Sequence, residues 1–261
     1  MLIGGMRALL VQALNPLAMA AVADNNDYKT NGWGRLLRTT DYIMTTTYGD
    51  TQAAHRAAAR VRAIHRRIKG IDEFTGLPYR ADDPELLLWI HATEVHSFLI
   101  AYRTYGGRLS AEDADRYVKE MVRSAELVGL DADDVPATHV ELRDYLRAQD
   151  IVVSPAAREA MRFVLVPPVP LPGGRVPAVP GGRLLIIPGR MAWSIPAAAA
   201  VAILPARARR LYGLPWARPA TPAVRVAAFA FSRSLRVLLP PPPPVQKALE
   251  RVRAAHGASA A

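Results

Sequence analysis

The chain has 261 residues and no cysteine, which excludes disulfides, thiolate metal sites, iron–sulfur clusters and cysteine nucleophiles together. Hydrophobic residues make up 51% and charged residues 21%, a composition that folds around a sizeable core rather than staying disordered. The net charge of +10 is scattered as arginines that alternate with acids through residues 80–150, so no dense basic tract suits a nucleic acid, and none is expected as a partner.

Residues 2–14 read as an amphipathic helix, and Pro16 breaks it. The first 23 residues have some features of an export signal, but Arg7 lies late and Gln12, Asn15 and Pro16 interrupt the apolar run. A buried first helix and a cytoplasmic protein are the expectation, with export the alternative. No stretch offers the roughly 20 uninterrupted apolar residues of a spanning helix.

A second helix is expected over residues 33–47, after the polar segment 24–31. Arg35, Arg38, Thr39 and Tyr42 fall on one of its faces, because residues three and four apart are neighbours. The third helix, residues 51–69, carries the clearest periodicity in the chain. Its apolar stripe is Ala54, Ala57, Ala58, Val61, Ile64, His65 and Ile68, and Gly70 stops it. Residues 71–83 form a loop, with little to suggest a sheet. Asp83-Pro84 then starts a helix to about residue 105, with Leu87, Leu88, His91, Val95, Phe98, Leu99 and Tyr102 inward. Helices over 110–128, 137–149 and 154–163 follow.

The composition changes after that. Prolines and glycines crowd residues 166–188, where regular structure is not expected. Apolar helices over 194–212 and 222–239 come next, then a stiff spacer of five prolines at 240–244 and a basic helix over 245–256. The class is all-α. The organisation is a core over residues 1–165, a Pro/Gly-rich loop over 166–190, and a C-terminal helical part over 191–261 packed on the core.

Dinucleotide, P-loop, α/β-hydrolase and zincin signatures are all missing. His65 stands on an apolar stripe, where it is either a core histidine or the neutral imidazole that an axial haem ligand requires. His91 is either a distal-pocket group or a core histidine. With Glu94 three residues on it can contribute to a non-haem metal site, although no carboxylate-rich second set accompanies the pair. Arg35, Arg38 and Thr39 are either a solvated face or, beside a haem, partners for its propionates, with Thr39 bonding a ligand on the iron.

A set of segments carries a resemblance. They are Gly4-Gly5-Met6-Arg7-Ala8-Leu9-Leu10-Val11-Gln12-Ala13-Leu14-Asn15-Pro16, Arg35-Leu36-Leu37-Arg38-Thr39, Thr47-Tyr48-Gly49 and Val61-Arg62-Ala63-Ile64-His65. Pro78-Tyr79-Arg80-Ala81-Asp82-Asp83-Pro84 running on through Trp89-Ile90-His91-Ala92-Thr93, and Tyr212-Gly213-Leu214-Pro215-Trp216, complete it. Together they resemble the oxygenase MpaB family, related to the latex-clearing rubber oxygenases. The resemblance implies a globin-related helical core with additional C-terminal helices, haem b with its iron as cofactor, and dioxygen chemistry on a hydrophobic or lipid-like substrate. Carried over by position, His65 would ligate the iron. Arg35, Arg38, Thr39 and His91 would surround the cofactor, and Arg38 and Thr39 would act at the catalytic centre. The family often has a histidine where Asn15 stands.

A second functional class fits the C-terminal half alone. The basic turn at residues 207–210 beside an alanine-rich segment suits a non-catalytic helical protein that contacts a membrane surface or a hydrophobic partner.

Overall fold

The computed structural model describes residues 1–24, 28–167, 193–214, 221–238 and 240–258. The described chain is all-α apart from one short hairpin. In order, its elements are α1 (Leu2–Gln12), α2 (Pro16–Ala23), α3 (Tyr28–Tyr48), α4 (Thr51–His65), β1 (Lys69–Ile71), β2 (Pro78–Arg80), α5 (Pro84–Ala101), α6 (Ala111–Val128), α7 (His139–Ala148), α8 (Pro155–Leu165), α9 (Trp193–Ala202), α10 (Ala206–Tyr212), α11 (Thr221–Leu238) and α12 (Pro243–Ala258).

Local chemistry sets most of the boundaries. Asp50, Asp83, Ser110 and Ser154 each accept a backbone N–H at the start of α4, α5, α6 and α8, and Thr138 with Glu141 forms a reciprocal capping pair on α7. Asn15 does the same for α2 through Ala18 N–H at 3.0 Å, so the side chain standing where a histidine is common has a capping task here. Gly129 and Gly213 end α6 and α10 with φ of 110° and 66°, a left-handed conformation that costs glycine little.

The centre of the fold is α5. Trp89, Ala92, Thr93, Val95, Ser97 and Leu99 are all buried, so the helix is enclosed on every side rather than along one stripe. α1 packs along one flank of it, while α6 and α7 pack along the other. Trp89 Nε1 donates to the carbonyl of Gln12 at 3.0 Å, and Gln12 Nε2 donates back to Ile90 at 3.2 Å. The close approach of α1 needs Gly4: a Cβ there would lie 2.6 Å from the Phe98 ring and 3.2 Å from the Phe98 Cα. α3 packs mainly on α4 and α12 and leaves space between itself and α5. The first two helices are buried in this core, with Leu10 and Leu14 fully covered. They meet at 106°, and no single helix among the described residues is long and apolar enough to cross a membrane.

C-terminal elements join the same core. Tyr212 donates to the carbonyl of Leu10 at 2.8 Å and Tyr105 to that of Ala199 at 2.9 Å, while Ala199, Ala200, Ala208 and Ala228 are fully buried with the N-terminal helices.

Several expectations are corrected. The segment 71–83 is not all loop: Lys69–Ile71 pairs antiparallel with Pro78–Arg80, closed by a turn in which Asp72 accepts from the backbone of Phe74 and Thr75 and from the Thr75 hydroxyl. That side chain supplies the turn chemistry that a strand-propensity reading overlooks. α4 therefore stops at His65, four residues before 69, and Ile64 is 49% exposed. α3 begins earlier than expected, at Tyr28. α5 passes into a π-turn at Tyr102–Gly106, which leaves Tyr102 half exposed rather than inward. The helix expected over 194–212 is divided, with Pro205 capping α10. Finally, the proline run is not all spacer, since Pro243 and Pro244 form the first turn of α12, where a missing N–H costs nothing. Most of the segment 166–188 lies outside the described residues.

Candidate functional site

Two cavities occupy the space between α1, α3 and α5. The larger, about 540 Å³, is lined by Leu2, Ile3 and Gly4 of α1, by Ile43, Thr47 and Tyr48 of α3, and by Glu94, Phe98 and Leu99 of α5. Tyr117 and Met121 of α6 and Phe231 of α11 close it. The smaller, about 320 Å³, is lined by Met6, Leu9 and Ala13, by Met19 and Val22 of α2, and by Arg35, Leu36, Thr39 and Ile43. Its far wall is aromatic: Phe163 of α8 and Trp193 of α9 line it, and Trp33 stacks edge-on against both, with centroids 6.4 and 5.5 Å away. Met1, Leu2, Ile43, Glu94 and Phe98 line both cavities, so the two adjoin. Apolar side chains dominate both linings, and their sizes suit a small lipophilic molecule.

The expected site residues distribute unevenly around this space. Arg35 and Thr39 line the smaller cavity, with Thr39, exposed overall, standing at its open side. Arg38 is exposed and lines neither cavity. His65 and His91 also line neither. His65, at the last position of α4, is half-buried, and its Nδ1 is fully enclosed without a hydrogen-bond partner among the described residues. Burial holds its pKa below the ordinary value; the Asp82 carboxylate opposes that and the Arg35 guanidinium adds to it. Arg35 thus links the two parts of the site, since it lines the cavity and its charge reaches the His65 ring. His91 is deeply enclosed on α5, and burial lowers its pKa to about 4, so it is neutral at pH 7.

A neutral imidazole with an enclosed, unpartnered nitrogen is the state in which a histidine accepts a metal, and a nearby guanidinium suits an anionic substituent. The donor atoms of His65 and Arg35 are of the types a haem requires, although His65 borders neither cavity. The His91–Glu94 pair differs, because no group of three potential metal-ligating side chains forms among the described residues.

Two residues gain importance that sequence reasoning did not give them. Glu94 is enclosed in the interior, lines both cavities, and burial raises its pKa to about 7. Its signal was visible as a carboxylate inside an otherwise apolar helix. Tyr42 on α3 has a buried hydroxyl with no partner, and its pKa is pushed up to about 12 by burial, then by Glu94, with Arg62 opposing. In the sequence it shows only as a member of the face that carries Arg35, Arg38 and Thr39.

The basic turn of α10 is engaged with the protein itself. Arg209 donates to the carbonyls of Leu204 at 2.6 Å and Ala202 at 3.4 Å; Arg207 donates to that of Gln149 at 3.1 Å and lies 3.6 Å from Asp150.

Comparison with known proteins gives one family. The family model described as ER-bound oxygenase mpaB/B'/Rubber oxygenase, catalytic domain, matches residues 1–237. No curated protein and no solved structure matches the chain.

Proposed function

The chain belongs to the mpaB and rubber oxygenase catalytic-domain family, and from that premise we propose that it is a haem b-dependent oxygenase acting with dioxygen on a hydrophobic substrate. An oxygenase catalytic domain is an enzyme; the haem, its ligand and the substrate class are the added reading. The observation that carries it is the enclosed, unpartnered Nδ1 of His65 within electrostatic reach of Arg35, which itself lines an apolar cavity.

In this reading His65 holds the iron. Its burial favours the neutral imidazole, which is the ligating form. Arg35 offers a guanidinium to a propionate, and its fork geometry matches a carboxylate. Thr39 lines the same cavity wall. Haem, when bound, supplies the redox-active metal at which dioxygen is activated. The Met, Leu, Ile and Phe linings of the two cavities would bind a lipophilic substrate and exclude water. Arg38, exposed and away from both cavities, has a weaker claim to the catalytic centre than Thr39 does.

The test is an absorption spectrum of the protein expressed with adequate haem supply. A Soret band at stoichiometric haem, with oxygen uptake on addition of an unsaturated lipid, is the expected result. A colourless protein that cannot be reconstituted with haemin would overturn the cofactor assignment.

A peripheral membrane contact falls to α11, where Val226, Phe229 and Val237 are exposed, while Arg207 and Arg209 of the arginine turn each bond carbonyls of the protein itself. Vesicle co-sedimentation of the wild type and of a triple serine variant at these positions tests it.

A further inference from the structure

Glu94 is a partly buried carboxyl that makes no hydrogen bond or ion pair among the described residues and stands where the two cavities meet. Set among apolar side chains with no protein partner, such a group gains from a ligand that can hydrogen-bond to it. Its surroundings offer little relief. Ile43 and Phe98 lie on the shared wall, and the hydroxyl groups that feel its charge, on Tyr42 and Tyr117, make no hydrogen bond to it. The Arg62 guanidinium is turned to the carbonyl of Leu127. The free hydrogen-bonding capacity of the carboxyl therefore faces the cavity.

We propose that Glu94 is the recognition point for a neutral oxygen function, a hydroxyl or a carbonyl, carried by an otherwise apolar chain that runs through both cavities. A protonated carboxyl both donates and accepts, so it satisfies either group without bringing a second charge into the interior. A cationic head would bury an ion pair, and an anionic one would meet Glu94 with like charge, so both are disfavoured. The apolar linings on each side of Glu94 then set the chain on either side of the oxygen. This inference rests on the lipophilic-substrate reading and narrows it, from any hydrophobic molecule to one with an oxygen function at a fixed place.

The experiment measures binding without turnover. 1-Decanol, 2-decanone and decane are titrated into the isolated protein and into Glu94→Gln and Glu94→Leu, by calorimetry and by the fluorescence of Trp193, which lines the smaller cavity. Wild type should bind all three. In Glu94→Leu, 1-decanol and 2-decanone should weaken by about tenfold relative to decane, which is what one net hydrogen bond provides, and in Glu94→Gln the loss should stay within about threefold because the amide still donates and accepts. Equal ratios of decanol to decane in wild type and Glu94→Leu would overturn the proposal. If Glu94→Leu does not fold, the infrared carbonyl stretch of protonated Glu94, assigned by its loss in Glu94→Gln, takes its place. It should move when 1-decanol enters and stay when decane enters, and an unmoved band overturns the proposal. Failure of the haem spectrum leaves these binding measurements intact, so the two readings fail separately.

Discussion

Arg7 on the first helix donates from Nη1 to the hydroxyl of Ser97 on the central helix at 2.6 Å. Its other nitrogens reach the carbonyl of Ile203 at 3.0 Å and Nδ1 of His96 at 3.2 Å, so one guanidinium ties α1, α5 and the end of α9. The side chain is 2% exposed and pairs with no carboxylate among the described residues, and burial lowers its pKa to about 10. Burial and the Arg7 charge together hold His96 near a pKa of 3, so Nδ1 stays free to accept.

Arg7→Met should therefore destabilise the protein by roughly 2–4 kcal/mol, because it strands three acceptors, of which the Ser97 hydroxyl is buried and the other two partly so. The urea midpoint at pH 8 measures it. A midpoint unchanged within error would show that the acceptors find other partners.

His65→Ala should lower haem content or shift the spectrum, and added imidazole should partly restore it by filling the vacated space. His91→Ala is the control: it is the other histidine expected on an apolar helical face, and its pKa of about 4 comes from burial alone. It should cost stability and keep the Soret band. The opposite pattern would move the ligand to His91.

Arg35 and Arg38 should separate. Arg35→Ala removes a cation from the cavity wall, weakening haem retention by roughly 1.5–3 kcal/mol if a charge-assisted bond is lost. Because the Arg35 charge lowers the His65 pKa, the same change should raise it in the haem-free protein, which NMR titration reads. Arg38→Ala, on an exposed residue, should alter neither quantity.

Glu94 makes stability pH-dependent. Its folded pKa of about 7 lies above the unfolded value of 4.5, so the folded form holds the proton more tightly. The stabilisation from that proton is fully present below pH 4.5 and is lost as pH rises through 7, by at most roughly 3 kcal/mol. Glu94→Gln, permanently neutral, should match wild type at pH 4 and exceed it at pH 8 in thermal or urea unfolding. His91 and His96 act in the opposite direction, being stabilising above 6.5 and less so as pH falls toward their folded values, so only the difference between the two proteins isolates Glu94.

Removing the residues after Pro240 should leave the core folded, since among the described residues none of α12 belongs to the buried clusters. It should not be silent, however. α12 packs on α3 and Arg251 donates to the carbonyl of Tyr48, so the truncation should loosen the wall that carries Tyr48 and Ile43. Retained far-ultraviolet ellipticity with faster amide exchange in α3 is the expected result.

What the sequence determined by itself was local. Aspartates and serines before α4, α5, α6 and α8, Pro84 and Pro155 at first turns, and glycines at helix ends all act within a few residues, so the helices and the all-α class were legible, as was the family through its motifs. Periodicity failed where burial is not one-sided. α5 is enclosed all round, so no pattern could say that Trp89 meets α1, that Val95 meets α6, or that Glu94 meets a cavity. The hairpin escaped because three-residue strands rely on the Asp72 turn and on the Tyr79 hydroxyl donating to Asp24, 55 positions away. The cavities themselves arise from α3 being held off α5 by its packing on α4 and α12. That separation brings Arg35 and Thr39 to one wall, leaves Arg38 in solvent, and exposes a buried carboxyl to a ligand. It is set by distant helices acting together, and no run of neighbouring residues encodes it.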